Sequence, residues 1–233
     1  MKPDHSFKLV AALILTGVFI ALFSTGHAAE TTKPKHTKSR SGTFQSSKGN
    51  SGTFDSTVTR GGGETTRNST LTNQDGKTAT HSFDRTVDKA TGTGTVAASS
   101  TGFNGATTSR QGTLIKNADG SVTGQGTITG PKGQVSTYSE TTTKTADGRS
   151  TTGTITNANG KTATVDREVT KTAPGEVSRD TTITGPNGKT LEKVVATKVN
   201  PDGTGTRVVE VTKPDGTTET RTETFTVTPA PKA

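Results

Sequence analysis

The chain has 233 residues, a formal net charge of +8 and no cysteine, and only 25% of its residues are hydrophobic. The absence of cysteine excludes disulfide bonds and thiolate metal ligands. A basic chain is attracted to anionic polymers, lipid headgroups or nucleic acid. Only 4% of the residues are aromatic, which is too few for a platform of stacked bases, so we expect no specific nucleic-acid partner.

The N-terminus has the three-part pattern of a secretory signal peptide. Lys2 and Lys8 precede an apolar run over residues 9–23, and small residues precede a cleavage site after Ala28, with Ala29 as the alternative. We therefore predict an N-terminal signal helix within residues 1–28. The apolar run is shorter than the roughly 20 residues that span a bilayer. We expect an exported protein, periplasmic, cell-surface or extracellular, with no transmembrane segment after processing.

The next segment, residues 29–45, is basic and rich in Thr, Ser and Lys, and we predict that it is a disordered tail. The composition beyond residue 28 does not decide between disorder and β-structure. Only 27 residues are Leu, Ile, Val or Phe, which indicates a weak core, whereas 52 threonines favour extended backbone. The tetrapeptide Ser-Gly-Thr-Phe occurs at residues 41–44 and again at residues 51–54. No role for this duplication follows from the sequence.

A repeat of about 28 residues follows the tail. Turn-like glycines from Gly76 to Gly216 have spacings that alternate between 12 or 13 and 15 or 16 residues, so every second turn recurs after 27 to 29 residues. A fixed period is typical of units that each bury little surface alone and pack on their neighbours. We predict a β-hairpin repeat region over residues 46–228, and its repeats begin near residues 46, 73, 102, 130, 157, 185 and 213.

The turns have a common chemistry. Most place Asp or Asn directly before the glycine, as in Asn117–Gly120, Thr145–Gly148 and Asn200–Gly203. Proline or alanine two residues before the glycine suits a φ near −65°, so the pattern predicts a type I turn closed by a glycine with positive φ. Between turns lie roughly 9 to 11 residues, which is enough for long strands in antiparallel pairing.

The strand-like segments alternate between two faces. From Thr218 to Thr228 every second residue is threonine, which predicts a hydroxyl ladder on one face and a mixed face on the other. Ile128, Ile155 and Ile183 each lie between two threonines, and we interpret them as a repeated apolar contact. We predict an all-β, repetitive antiparallel hairpin meander; a β-solenoid of about 14 residues per coil and a partly disordered version are the alternatives. Residues 229–233 are predicted to be a C-terminal tail.

One tripeptide suggests nucleotide chemistry at first sight. Gly188-Lys189-Thr190 matches the end of a phosphate-binding loop, and it recurs at residues 76–78 and 160–162. Such a loop requires a further glycine five residues earlier, and Ile183 occupies that position before Gly188. Since the other copies have the same defect, we interpret all three as repeated turns.

The sequence offers no other set of chemical groups. His36 and His81 are the histidines beyond residue 28, and neither lies in a motif that pairs a base with a nucleophile. We therefore predict a protein that is not an enzyme, with no catalytic residue, no cofactor-binding residue and no metal site.

Two functional hypotheses remain. The first is a non-catalytic repeat protein of the cell envelope or extracellular matrix that acts as a spacer, coat or adhesive layer. The second is a binding module for an anionic glycan or cell-wall polymer, with anionic envelope polymers as the expected partners. A surface-ordering role for flat threonine rows is a weaker alternative, and self-association through exposed strand edges is a further expectation.

Overall fold

The structure, a computed structural model, describes residues 35–229, which form a closed antiparallel β-barrel. Strands that are neighbours in sequence pair with each other, and the first strand pairs with the last. The strands are β1 (His36–Ser46), β2 (Ser51–Gly61), β3 (Glu64–Asn73), β4 (Thr78–Val87), β5 (Thr93–Thr101), β6 (Thr107–Lys116), β7 (Val122–Thr129), β8 (Val135–Lys144), β9 (Gly148–Asn157), β10 (Thr162–Ala173), β11 (Glu176–Thr184), β12 (Thr190–Val199), β13 (Thr204–Thr212) and β14 (Thr218–Pro229).

The predicted all-β antiparallel hairpin meander is confirmed, and its closure into a barrel is the feature that the sequence did not predict. The predicted signal helix at residues 1–28 lies outside the described residues. So does the predicted C-terminal tail, apart from Pro229, which is the last residue of β14.

The predicted repeat corresponds to one turn, two strands and the turn between them. Each predicted start is the residue whose carbonyl accepts a hydrogen bond from the N–H of a glycine three residues later, as Asn73 does from Gly76 at 2.9 Å. These glycines have positive φ, such as 74° at Gly76, so the predicted turn type is confirmed at all seven starts. Because alternate turns of an antiparallel meander lie at the same end, the seven starts form one rim of the barrel.

The turn before β9 differs from the prediction. Gly148 does not have a positive φ, and it pairs with Thr170 as the first residue of its strand. A Cβ atom at this position would lie 1.7 Å from the carbonyl oxygen of Val169. The predicted left-handed glycine at Gly148 is therefore wrong, because glycine here allows β10 to approach closely.

The predicted disordered tail at residues 29–45 is wrong from His36 onward, because β1 occupies most of this segment. The repeat that begins at residue 213 contains only one strand, β14, and β1 lies beside it in the place of the missing strand. One repeat is thus divided between the two ends of the chain. The sequence did not predict this strand because the segment has few apolar residues. In the barrel, β1 needs apolar side chains on its inward face alone.

The duplicated Ser-Gly-Thr-Phe has a structural explanation. The two copies run antiparallel on β1 and β2, so that Gly42 pairs with Phe54 and Phe44 pairs with Gly52. A Cβ atom on Gly52 would lie 2.9 Å from Cε1 of Phe44. Gly52 therefore leaves room for the ring of Phe44, whereas a Cβ atom on Gly42 would lie 1.9 Å from the carbonyl oxygen of Thr224 on β14. The duplication thus places a glycine on each strand where a neighbouring strand or ring approaches closely.

Closure gives the chain an inside and an outside. The three isoleucines predicted as a repeated contact are buried together with Leu191 and Val209 in the larger of two apolar clusters. The threonines of β14 lie on the outer face, where Thr224 Oγ1 is 3.0 Å from Thr43 Oγ1 of β1. Because only the inner face needs apolar side chains, a chain with few of them can still form a core.

Candidate functional site: a cationic barrel interior and a lysine rim

Cationic side chains occupy inward positions near the middle of the barrel, where the strand alternation places them among apolar residues. Arg207, for example, lies between the buried residues Gly205 and Val209 and is 6% exposed. We call this set the interior cation cluster. Its members are Arg40, Arg67, Arg110, Arg167, Arg179, Lys193, Arg207 and Arg221.

Within residues 35–229, two acidic side chains face this cluster. Glu140 accepts a hydrogen bond of 2.6 Å from Nη2 of Arg110, whose guanidinium also lies 3.7 Å from the ring centre of Tyr138. Glu223 accepts from Arg207 at 3.1 Å and from Arg221 at 2.7 Å. Within the described residues, eight cations therefore face two carboxylates, so this part of the interior carries an excess of positive charge.

The excess charge changes the ionisation of the cluster. Burial and the positive charges of Arg207 and Arg40 lower the pKa of Arg67 to about 9. Burial, followed by repulsion from neighbouring arginines, also lowers the pKa of Arg179 and of Lys193 well below their ordinary values. A bound anion would offset the repulsion between these cations and raise their pKa values again. The interior therefore favours a negatively charged ligand.

A cavity of about 170 Å³ lies against part of this cluster. Glu223 is the acidic residue in its lining, and four arginines of the cluster (Arg40, Arg67, Arg207, Arg221) share that lining, which leaves a net charge of 4 − 1 = +3. His81 also lines the cavity, but burial and then the charge of Arg67 lower its pKa to about 4, so it is neutral at pH 7.

The rest of the cavity lining consists of four hydroxyl residues, Ser56, Ser69, Thr80 and Thr101, and of apolar or small residues. Phe54, Leu71 and Ala79 form one side, and Gly102 with Phe103 lies in the turn between β5 and β6. Phe103 is 38% exposed. The cavity therefore combines a cationic interior with an apolar wall and an aromatic residue at the protein surface.

A second cationic feature lies on the rim formed by the seven repeat-start turns. Six of these turns carry a lysine, and the remaining one is the turn with Phe103. We call these lysines the basic rim: Lys48, Lys77, Lys132, Lys161, Lys189 and Lys213. All are exposed except Lys213, which is half-buried and shares Glu219 with Lys48.

The Gly-Lys-Thr tripeptides lie on this rim. Lys189 follows the glycine of its turn, its backbone N–H donates to Oδ1 of Asn187 at 3.2 Å, and Thr190 begins β12. A phosphate-binding loop leads from a strand into a helix, whereas these segments join two strands. The interpretation of the tripeptides as turn residues is confirmed.

Sequence reasoning named no site residue and therefore missed both the cavity and the rim. The repeated lysine was visible in the turns, but only the closed barrel shows that six copies surround one end. The arginines gave no signal, because an inward and an outward arginine cannot be told apart before the sheet is known to close.

Other kinds of site are not indicated in the part of the chain that the structure describes. No group of three or more His, Asp or Glu side chains there could hold a metal ion. The same residues contain no helix with the length and hydrophobicity needed to cross a membrane. Comparisons with protein-family models, curated proteins and solved structures find no match to this chain.

Proposed function

We propose that the protein is a non-catalytic binding module for an anionic polymer, such as an acidic glycan or cell-wall polymer, and that it binds this polymer through the basic rim. The observation that carries the proposal is the recurrence of a lysine at six of the seven turns of one rim, exposed in five of them and half-buried at Lys213. Each lysine presents a hydrated point charge on a flexible stem, which suits many weak contacts to a polyanion more than one rigid contact.

The closed sheet favours binding over assembly through strand edges. Within residues 35–229 every strand has a partner on both sides, so the described barrel offers no open edge for pairing with another copy. The spacer or coat hypothesis needs contacts between copies, and it stays a prediction. Export also stays a prediction, because the residues on which it rests lie outside the described part.

A charge-matched pair of variants tests the rim. We expect the quadruple change of Lys77, Lys132, Lys161 and Lys189 to glutamine to weaken binding to immobilised alginate about tenfold at 0.1 M salt, since four exposed ionic contacts contribute about 0.4 kcal/mol each. Binding of the unaltered protein should weaken steeply with added salt, because exposed charges are screened. Retention on the polymer over a salt series measures both effects.

The matched control removes the same charge from the opposite end of the barrel. Lys89, Lys116, Lys144 and Lys171 are exposed and lie in or beside the turns of that end, and their change to glutamine should leave most of the binding. Both quadruple variants should unfold at the temperature of the unaltered protein. Equal weakening by the two variants would show that net charge alone drives retention and would refute the rim as the binding surface.

A further inference from the structure

We propose that the interior cavity is a second, independent binding site, and that its ligand is a small amphiphilic carboxylate. The carboxylate lies between Arg67 and Arg207, and the apolar part lies against Phe54 and Leu71. None of the basic-rim lysines lines this cavity, so the site does not depend on polymer binding.

The charge of the cavity selects an anion. Of its arginines, Arg221 forms an ion pair with Glu223 at 2.7 Å, and Arg40 lies 4.9 Å from the ring centre of Phe225. Arg207 shares the same carboxylate at 3.1 Å, so one acidic group serves two guanidiniums. A second carboxylate in the cavity would lower the net charge from +3 to +2 and stabilise the ionised form of Arg67.

The geometry of the charged groups favours a carboxylate. A guanidinium is planar and presents paired N–H donors that match the two oxygens of a carboxylate. Both donors are already held in place, since Nε of Arg67 on β3 donates to Ser69 at 3.3 Å and Arg207 on β13 donates to Glu223 at 3.1 Å. Little ordering is therefore needed when the ligand binds.

Beside its hydroxyl residues, the remaining wall has an apolar part, which favours a ligand with an apolar portion. Phe54 and Leu71 face the cavity and offer no polar partner, which disfavours a fully hydrated ion such as inorganic phosphate. The surface end of the cavity is lined by Phe103 in the turn that lacks a rim lysine. An apolar chain can lie along this aromatic side chain while its carboxylate remains inside.

Titration of the purified protein with sodium octanoate, followed by calorimetry and by the thermal unfolding midpoint, tests the site without any variant. We expect one octanoate per chain and a midpoint that rises by about 3 °C or more near saturation. Octanol and inorganic phosphate should each bind at least tenfold more weakly. Equal binding of octanol, or tighter binding of phosphate, would overturn the proposal.

Two variants locate the ligand. Arg67→Gln should weaken octanoate binding roughly tenfold to a hundredfold, because a hydrogen bond to a charged group is lost. Arg85→Gln is the matched control, because Arg85 is also a buried inward arginine but does not line the cavity. This variant should bind octanoate as tightly as the unaltered protein. If Arg67→Gln fails to fold, Phe103→Ala, at an exposed turn, should still weaken octanoate binding several-fold.

Further outcomes separate this site from the rim. The quadruple rim variant should bind octanoate like the unaltered protein, so the two proposals can fail independently. Undiminished octanoate binding in both Arg67→Gln and Phe103→Ala would place the ligand elsewhere and overturn the assignment of the cavity.

Discussion

Replacing Phe225 by alanine is expected to lower the free energy of unfolding by about 3–5 kcal/mol, the range typical of a buried phenylalanine. The ring is 5% exposed and belongs to β14, the strand that closes the barrel against β1. A loss of this size is a large part of the stability of an ordinary domain.

The surroundings of Phe225 explain why the loss should lie at the upper end of the range. The residue pairs with Gly42 on one side and Gly205 on the other, and neither glycine has a side chain that could fill the space left by the ring. The ring also meets Phe54 edge-on at a centroid distance of 6.5 Å, and Arg40 lies over it at 4.9 Å. The contacts with Gly42, Phe54 and Arg40 join the two ends of the chain.

The neighbouring residue supplies the control. Thr226 is exposed on the outer face of the same strand, and Thr226→Ala should change the free energy of unfolding by less than about 0.5 kcal/mol. Urea unfolding of both variants, followed by far-UV circular dichroism, gives the comparison. Similar small losses for Phe225→Ala and Thr226→Ala would show that the closing seam is not packed as described.

Glu223→Gln is expected to cost about 3–5 kcal/mol, because it leaves buried cations without their counter-charge. Glu223 is buried, and it is the carboxylate shared by Arg207 and Arg221. The exposed rim offers a contrast in Glu219, which pairs with two partly exposed lysines. Glu219→Gln should therefore cost at most about 1 kcal/mol.

The ionisation of Glu223 should make the free energy of unfolding depend on pH in acid. Burial disfavours the ionised form of Glu223, but the charges of Arg207 and Arg221 outweigh it and hold its pKa below the ordinary value of 4.5. Because the pKa is lower in the folded state, the contribution of Glu223 is complete above pH 4.5 and is lost as the pH falls through the folded-state pKa. The acid-induced loss of stability should be smaller in Glu223→Gln.

A double-mutant cycle distinguishes this electrostatic effect from a simple packing defect. Arg207→Met removes one of the cations while keeping a long side chain, so the double variant should be less destabilised than the sum of the two single variants by at least about 1 kcal/mol. Additive losses would show that Glu223 and Arg207 do not interact in the folded protein.

The local features of the fold could be predicted from the sequence because they depend on neighbouring residues. The spacing of the turn glycines located the repeat starts, and the Asp or Asn before most of these glycines identified the turn type. The exception, Gly148, is required by the carbonyl of Val169 on another strand, which no local pattern shows. The alternation from Thr218 to Thr228 likewise indicated two faces but not which face would be enclosed.

Closure and the candidate sites depend on contacts between distant parts of the chain. Thr43 and Thr224, which meet across the seam, are 181 residues apart in sequence. Arg40 lies in a segment whose composition resembles a solvated tail, yet the pairing of β1 with β14 places it in the cavity lining. The interior cation cluster exists only because the sheet closes, so its arginines resembled surface residues in the sequence.

The most direct test of the closed barrel is a disulfide across the seam between β1 and β14. The chain has no cysteine, so Thr43→Cys with Thr224→Cys introduces the only two thiols, at outward positions that pair directly. Paired positions on antiparallel strands lie about 4.5–5.5 Å apart between Cα atoms, within the range that a disulfide spans. Thr43→Cys with Thr127→Cys, on β7, is the matched control.

Mild oxidation followed by thiol counting and intact mass measurement gives the result. A closed barrel predicts that the Thr43–Thr224 double variant forms a disulfide within one chain and that the Thr43–Thr127 variant keeps two free thiols. Failure of the seam pair to cross-link within a monomer, or equal cross-linking of both pairs, would contradict closure of the sheet.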